Sequence, residues 1–274
     1  MPTGRRSGIA EFGNIVTGIS VGVARKYLFF STAKKAVVYL IVVIMLSLYG
    51  ASFKLPEDFY FAKRRNLLNE YGVKLGWFWT LFVLVPFVHL TTKAHRKEMN
   101  VLFGNLMRVL VATGLWYFCT TWFVNFERMT GHCHGSEISS RSSCREDGGK
   151  WVPGFDISGH CFILIYSSLM ICEESTAFRN IPYIYGRGSN SRTKESLNEA
   201  FAIKIYFLLM FALHLLWDFE LVISVLYYHH IHHKIVGTFI ALGCWFFTYH
   251  LWYPILGMPP PPIDEKIRQK VHQT

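Results

Sequence analysis

Six long stretches of the chain carry little or no charge, and they restrict it to a small set of architectures. They are Ala36–Ala51, Gly76–Leu90, Leu110–Phe126, Ser158–Cys172, Phe201–Tyr228 and Ile235–Ile255. With interfacial flanks counted, each approaches the roughly 17–25 residues that a helix needs to cross a bilayer. In hydrocarbon the backbone must satisfy its own hydrogen bonds, which helices do within one segment. The sequence therefore predicts an all-α polytopic membrane bundle of about six transmembrane helices.

The distribution of Lys and Arg predicts how these spans are oriented. The formal net charge is +10, and basic residues are more numerous at both ends and in alternate loops than in the other three loops. By the positive-inside rule, both termini lie in the cytosol. We predict a basic cytosolic segment at residues 1–35 and a six-span domain at 36–256 with non-cytosolic loops near 52–75, 126–157 and 229–234. A cytosolic tail follows at 257–274. The charge then reflects topology and contact with membrane lipids, and we expect no nucleic acid as a partner.

Two histidine-bearing segments stand at opposite ends of one pair of spans. They read DISGH at Asp156–His160 and YYHHIHHK at Tyr227–Lys234, and each lies where an apolar stretch meets polar sequence. Two membrane crossings return a chain to the side that it left. We therefore predict that His160 and His229 face the same compartment, close to the same non-cytosolic membrane surface.

The SGH tripeptide that ends at His160 suits the binding of an anion. Ser158 or Asp156 can cap the helix that follows, and the free N–H groups at its start, near Gly159, favour a negatively charged ligand. A histidine at this place can donate a proton to the leaving group of a phosphate ester. The alternative is an interfacial histidine without a catalytic role.

The second segment holds four histidines and allows three interpretations. The four are His229, His230, His232 and His233. They form a polar boundary where a helix leaves the membrane, or bind a metal, or include a nucleophile that attacks phosphorus. The H-x-x-H-H pattern is similar to that of membrane di-iron enzymes, but those sites need further histidine clusters that the rest of this sequence does not supply. We expect no metal and no other cofactor.

Two cysteines in the 126–157 loop leave a further choice open. A disulfide between Cys133 and Cys144 can form in an oxidising compartment. The GHCHG sequence at Gly131–Gly135 is the alternative, a metal site, although two His and one Cys without a second cluster make a poor one. The other four cysteines lie within or beside apolar stretches, where a thiol usually behaves as a small hydrophobic group.

Two carboxylates lie inside the fifth apolar stretch. Asp218 and Glu220 precede His229 by about two to three helical turns. Carboxylates at such a depth usually face the interior of the bundle or a wet cavity. Either participation in catalysis or an interhelical hydrogen bond explains their presence.

Three sequence blocks together resemble one known family, the fat storage-inducing transmembrane (FIT) proteins. The blocks match in order and spacing, and they are KRRNLLNEYGVKLGWFWT at Lys63–Thr80, GFDISGHCFILIYSSLMICEE at Gly154–Glu174 and LYYHHIHHKIVGTFIALGCWFFTYHLWYP at Leu226–Pro254. The resemblance covers about Lys63 to Pro254. It implies a six-span protein of the endoplasmic reticulum, with its active site toward the lumen, that supports lipid droplet formation and membrane lipid balance.

The resemblance also implies an activity, which is cleavage of the diphosphate of fatty acyl-CoA to acyl 4′-phosphopantetheine and adenosine 3′,5′-bisphosphate. It further implies a core like that of the lipid phosphate phosphatases, whose PSGH motif matches Ile157–His160 except at Ile157. By position, His229 corresponds to the nucleophile and His160 to the acid. We predict that His229 attacks one phosphorus and that His160 protonates the departing oxygen, with no metal required.

The match to the phosphatases is incomplete around His229. Those enzymes carry Ser-Arg beginning seven residues before the nucleophile and Asp four residues after it, whereas this chain has Val222–Ile223 and His233. The Arg that grips phosphate and the Asp that orients the imidazole are thus missing from their usual places. We expect other groups to supply the positive charge and anion contacts. The candidate phosphate-binding residues are Arg64, Arg65, Lys74, Ser158 and Gly159.

Two other functions are alternatives. A non-enzymatic protein would bind diacylglycerol or triacylglycerol and partition it toward droplets. The aromatic residues from Trp245 through Trp252 support this, although such residues more often form packing and interfacial belts. A phosphatase acting on phosphatidate or lysophosphatidate is the nearer alternative, and the loss of the Arg-bearing motif argues against it.

Overall fold

The computed structural model describes residues 4–56, 58–63, 65–95, 99–135, 140–181, 194–260 and 262. These residues are mainly helical, with one pair of short antiparallel strands, β1 (His132–His134) and β2 (Lys150–Val152). The α-helices are α1 (Gly4–Leu28), α2 (Thr32–Ser52), α3 (Gly76–Ala94), α4 (Met99–Thr130), α5 (Arg141–Glu146), α6 (Gly159–Ser175), α7 (Lys194–Tyr227), α8 (Ile231–Phe246) and α9 (Tyr253–Leu256). Short 3₁₀ or π segments lie at Tyr60–Ala62, Leu68–Val73, Thr176–Asn180 and Phe247–Trp252.

Six helical stretches in the described part of the chain are long and apolar enough to cross a membrane. They are Thr32–Ser52, Gly76–Ala94, Met99–Thr130, Gly159–Arg179, Leu197–Tyr227 and Ile231–Leu256. The predicted number and order of spans, and the all-α polytopic fold, are therefore confirmed. Large apolar side chains such as Phe82, Phe118 and Phe239 are exposed on the outside of the bundle. A lipid exterior explains them, since patches of this kind are rare on soluble monomers.

Helix α6 is the centre of the bundle. In its apolar window 83% of the residues are buried, against 28–50% in the other five spans. A helix that is apolar on all sides belongs in a core, and α6 accordingly packs against α2, α3, α4, α7 and α8. Because α6 begins directly after Ser158, its burial fixes His160 at the edge of the core.

The turn between α7 and α8 is held by a buried lysine. Lys234 Nζ donates to the carbonyl of Val225 at 2.5 Å, and the Lys234 side chain is buried. A cation suits the carbonyls at the end of α7, which have no helical partner. Farther along α8, a Cβ on Gly237 would lie 2.5 Å from the carbonyl oxygen of Ser158. Only glycine lets α8 approach the start of α6 this closely.

The loop between α4 and α6 is a small folded unit. Strands β1 and β2 pair in it, and Cys133 is bonded to Cys144 with a Cα–Cα distance of 5.6 Å. Of the two alternatives for this loop, the structure therefore contains the disulfide. His132 and His134, which a metal site would have used, are exposed on either side of the buried Cys133.

The N-terminal segment has more structure than a basic tail requires. Helix α1 occupies most of residues 1–35 and packs mainly against α7, where Ala24 and Leu28 are buried. The loop of residues 182–193 and the end of the tail, residues 263–274, lie outside the described residues. The side of the membrane on which each terminus lies stays a prediction.

An ion pair in the core joins α4 to α6. Arg108 donates to both carboxylate oxygens of Glu174, through Nε at 2.7 Å and NH2 at 2.6 Å, and Tyr249 donates to the same carboxylate at 2.8 Å. The Arg108 and Glu174 side chains are 3% and 1% exposed. Two parallel hydrogen bonds fix the relative depth of the helices as well as neutralising both charges.

Replacing Arg108 by Ala should destabilise the bundle severely. It leaves the Glu174 carboxylate buried without its cation, a change that costs about 3–5 kcal/mol in buried pairs. Thermal unfolding of the purified protein in detergent measures the effect. Lys93→Ala is the matched control, because Lys93 pairs with Glu199 at 2.5 Å while half exposed, and it should change the melting temperature little. Equal melting temperatures for both variants would contradict the assignment.

Candidate functional site

His160 lies in the first turn of α6 and points to a loop from another part of the chain. Its Nε2 is 2.6 Å from Oδ1 of Asn69, which is buried in the π segment Leu68–Val73. Because an amide oxygen only accepts hydrogen bonds, the imidazole proton of this pair lies on Nε2. The helix cap is Ser158, whose Oγ accepts the N–H of Cys161 at 3.3 Å. His160 is thus held in place with its N–H on Nε2.

His229 lies in the turn between α7 and α8, in an uncommon backbone conformation. Its φ is 56°, in the left-handed region that few non-glycine residues adopt. Its Nδ1 is 3.1 Å from Oδ2 of Asp156, and the side chain is 16% exposed. A carboxylate on Nδ1 fixes the tautomer and leaves Nε2 as the reactive nitrogen. Asp156 thus contacts the His229 ring as the Asp that is absent at position 233 would be expected to do.

The two histidines share one cavity. Their ring centroids are 6.4 Å apart, and the cavity has a volume of about 260 Å³. Its walls are formed by Arg65, Asn69, Glu70, Lys74, His160, Tyr228 and His229. The structure brings together the ends of α6 and α7, as the two crossings imply, and adds the connection between α2 and α3 as a third wall. We call this group of seven residues the histidine cavity.

Two of the predicted phosphate-binding cations are at the histidine cavity. Lys74 Nζ is paired with Glu70 Oε1 at 2.5 Å across one helical turn, and both side chains are partly exposed. Arg65 is exposed at the rim. An anion that enters can replace Glu70 as the partner of Lys74, because a pair this exposed is weak. Arg64 lies outside the described residues.

The other two predicted phosphate contacts are not on the cavity wall. Ser158 is buried, its Oγ caps α6, and its backbone N–H donates to the carbonyl of His233 at 3.1 Å. Gly159 begins α6 and does not line the cavity either. The side chain of Ser158 therefore caps the helix that carries His160, and phosphate binding by Ser158 and Gly159 stays a prediction.

Several residues of the site were not singled out from the sequence. Tyr228 donates its hydroxyl proton to the carbonyl of Phe61 at 2.8 Å, and Asn66 Nδ2 donates to the carbonyl of Lys63 at 2.9 Å and to the Tyr228 oxygen at 3.2 Å. These bonds fasten the α2–α3 connection over the histidines. The sequence feature that could have indicated these contacts is a pair of amides three residues apart, Asn66 and Asn69, in the KRRNLLNEYGVK block.

Of the four clustered histidines, only His229 lines the cavity. His232 and His233 pack on Phe155 with ring centroids 5.5 Å and 4.6 Å away, and His230 is exposed. Throughout the described ranges, no group of three or more His, Cys, Asp or Glu residues is arranged to hold a metal ion. The tertiary structure thus separates His229 from neighbours that look equivalent in sequence.

The two intramembrane carboxylates are away from the histidine cavity. Asp218 accepts hydrogen bonds from Tyr39 at 2.7 Å and from Tyr27, and contacts His214 on its own helix. Glu220 is buried. Neither residue lines the histidine cavity, so catalysis there is not their role. Asp218 instead forms interhelical hydrogen bonds, because Tyr39 belongs to α2 and Tyr27 to α1.

Comparison with known proteins places the chain in a family. The sequence profile described as fat storage-inducing transmembrane protein (FIT) matches residues 57–249. A protein of Caenorhabditis elegans named acyl-coenzyme A diphosphatase FITM2 is 36% identical over 262 residues, which cover 94% of this chain and 92% of that protein.

Vertebrate relatives bear the same name at similar identity. The Danio rerio protein is 37% identical over 79% of this chain and 86% of its own length. The Homo sapiens protein is 34% identical over 78% of this chain and 82% of its own length. No solved structure matches. Since both the profile and these relatives cover most of the chain, it belongs to the fat storage-inducing transmembrane (FIT) family.

Proposed function

We propose that the protein hydrolyses the diphosphate of fatty acyl-CoA at the histidine cavity. The relatives bear the name of this activity. The observation that carries the proposal is the pairing of His229 Nδ1 with Asp156, next to His160, whose Nε2 contacts Asn69 on the same cavity. A carboxylate-oriented imidazole and a separate proton donor are the two groups that phosphoryl transfer through a histidine requires.

The first step is attack of His229 Nε2 on one phosphorus of the diphosphate. The nitrogen–phosphorus bond forms as the bridging oxygen–phosphorus bond breaks in line with it. His160, acting in its imidazolium form, gives its Nε2 proton to the departing oxygen and becomes neutral. For this transfer the N–H of His160 leaves the Asn69 oxygen that accepts it and turns to the substrate. Asp156, whose side chain is 54% exposed, stabilises the positive charge that develops on the His229 ring.

The second step returns the enzyme to its starting state. Neutral His160 accepts a proton from water, the water oxygen bonds to phosphorus, and the bond from phosphorus to His229 breaks. Arg65 and Lys74 offset the negative charge on the phosphoryl oxygens in both steps, which is the main electrostatic requirement of such reactions. The products are acyl 4′-phosphopantetheine and adenosine 3′,5′-bisphosphate.

We place this reaction at the lumenal face of the endoplasmic reticulum, with both termini in the cytosol. The Cys133–Cys144 disulfide supports that orientation, because the loop between α4 and α6 lies at the same end of the bundle as the histidine cavity. Disulfides persist in oxidising compartments. The acyl chain stays in the bilayer beside the spans. The reaction supports the membrane lipid balance on which droplet formation depends.

Neutral-lipid binding does not explain the histidine cavity. Its volume of about 260 Å³ and its charged walls suit a phosphate group better than a diacylglycerol or triacylglycerol, whose bulk is apolar. Pockets for apolar ligands are usually larger and lined mainly by hydrophobic side chains. Binding of diacylglycerol or triacylglycerol would therefore take place elsewhere on the protein, at a surface in contact with the bilayer.

Removing either histidine should abolish turnover. His229→Ala deletes the nucleophile, and His160→Ala deletes a proton donor of a kind that contributes about 10²–10⁴-fold. Purified variants are assayed on acyl-CoA and on phosphatidate, with product masses read by mass spectrometry. His230→Ala is the matched control, since His230 is exposed and away from the cavity. Normal hydrolysis by either cavity variant would refute the mechanism, and preferred cleavage of phosphatidate would refute the substrate.

Asp156→Asn should lower kcat far more than it raises KM. The amide keeps the shape of the carboxylate but cannot stabilise the imidazolium. The same change at a buried Asp costs about 10⁴-fold in kcat, and the loss should be smaller here because Asp156 is exposed. Asp147→Asn, on an exposed residue of the same loop, serves as the control. Unchanged kcat in the Asp156 variant would show that His229 acts without it.

Lys74 and Glu70 should have opposite effects on substrate binding. Lys74→Ala removes the cation and should greatly reduce hydrolysis, whereas Glu70→Gln frees Lys74 for the substrate and should lower KM. Steady-state kinetics over a range of salt concentrations measure both, because contacts this exposed weaken as salt rises. Full activity of the Lys74 variant would remove that residue from the site.

A further inference from the structure

A second set of chemically reactive side chains lies at the other end of α6. Cys172 Sγ is 3.2 Å from His214 Nε2, and His214 Nδ1 is 3.2 Å from Asp218 Oδ2. Cys172 follows His160 by twelve residues on one helix, a rise of roughly 18 Å. The set therefore has no contact with the histidine cavity, and the diphosphatase mechanism does not use it.

The three side chains stand in the order of a nucleophile, a base and an orienting carboxylate. Asp218 accepts the proton on His214 Nδ1, so Nε2 is the nitrogen that faces the Cys172 thiol and can take its proton. This is the mutual geometry by which nucleophilic sites are recognised on unrelated folds. Cys172 and His214 are 1% and 0% exposed, which excludes bulk water from the sulfur.

A buried cation completes the arrangement. Lys35 Nζ is 3.0 Å from Cys172 Sγ and 3.4 Å from His214 Nε2. A positive charge this close to sulfur favours the thiolate, the nucleophilic form of cysteine. Tyr39 and Tyr27 donate to the Asp218 carboxylate and fix it toward His214. Ionisable groups at this depth are costly in a membrane and usually mark a functional site.

Of the set, only Asp218 lines a large apolar cavity between α1, α2 and α7, and Cys172 and His214 lie outside its wall. The volume is about 580 Å³, within the range of about 300–1,000 Å³ that holds small-molecule ligands. Val38, Leu221 and other apolar side chains form most of the wall, and Lys35 and Asp218 are part of it. These two residues also contact Cys172 and His214, so they connect the reactive set to the cavity. An elongated acyl chain fits such a space.

A second lysine lines the cavity besides Lys35. This is Lys26, whose side chain is exposed. An apolar space with two lysines on its wall suits a ligand with an acyl chain and an anionic head group. Fatty acyl-CoA has both parts, and it carries a thioester where they join.

We propose that Cys172, His214 and Asp218 form a second catalytic site that takes an acyl group from a fatty acyl-CoA thioester. The Cys172 proton moves to His214 Nε2, and Sγ bonds to the acyl carbonyl carbon. The bond from that carbon to the CoA sulfur breaks, and the proton on His214 passes to the departing sulfur. The result is an acyl-Cys172 thioester and free CoA thiol, with no change of oxidation state. Lys35 lies between Sγ and the cavity, so its flexible side chain turns aside to admit the carbonyl and then faces the developing oxyanion.

Covalent labelling tests the proposal. The purified full chain is incubated with an alkyne-tagged long-chain acyl-CoA, and labelled peptides are mapped by mass spectrometry. We expect one acyl group on Cys172 that neutral hydroxylamine releases. Cys172→Ser should label at background. Cys161→Ser, a change of an equally buried free cysteine on the same helix, is the matched control and should label as the wild type does.

Variants of the base and of its partner separate catalysis from chance reactivity. His214→Gln should slow labelling about 100-fold or more, the contribution of a positioned base. Asp218→Asn should shift the pH profile of the labelling rate, since Asp218 acts through His214. A merely structural Asp218 would change the yield of folded protein and leave the profile in place.

The outcomes distinguish this site from the histidine cavity when both products are followed in one preparation. Wild-type protein that releases adenosine 3′,5′-bisphosphate but gains no acyl group overturns the Cys172 proposal alone. Label that persists in Cys172→Ser, or that is spread over the other free cysteines, overturns it as well. Label on Cys172 without release of the nucleotide would instead overturn the proposed diphosphatase.

Discussion

The close contact between the start of α6 and the start of α8 is the constraint on which the site depends. The backbone N–H of Ser158 donates to the carbonyl of His233, and Gly237 leaves room for the Ser158 carbonyl against α8. Two segments that are far apart in the chain are thereby held in backbone contact. A shift by one helical turn would move His160 and His229 apart by about 5 Å. The Lys234 contact with Val225 then keeps the α7–α8 turn from unwinding.

The residues of the histidine cavity come from segments that are far apart in the chain. His229 gains its carboxylate from Asp156, which belongs to the segment of the other histidine, and His160 gains a hydrogen-bond partner from Asn69. Each histidine is thus oriented by a residue outside its own segment. This coupling means that the site forms only when the bundle is complete, and it explains why the region around His229 looks deficient when read along the chain.

Helix α6 carries residues of both proposed sites, one near each of its ends. His160 lies in its first turn and Cys172 near its last, and the residues between them are buried. The buried ion pair of Arg108 and Glu174 fixes the depth of this helix beside α4. Polar groups in a membrane interior are stable only with partners, so each polar cluster on α6 contacts a second helix. The contacts that hold the bundle together therefore also shape the two cavities described here.

The number of spans, the placement of His160 and His229 at one end of the bundle, and the family resemblance could all be predicted from the sequence. The length of an apolar stretch and the parity of crossings are properties of the chain alone. The contact of Asp156 with His229, the capping of α6 by Ser158, and the contacts of His214 with Cys172 and Asp218 become visible only in the packed bundle. Such pairings depend on the rotation and depth of each helix. Those are set by side-chain packing between helices, which a pattern of apolar residues does not encode.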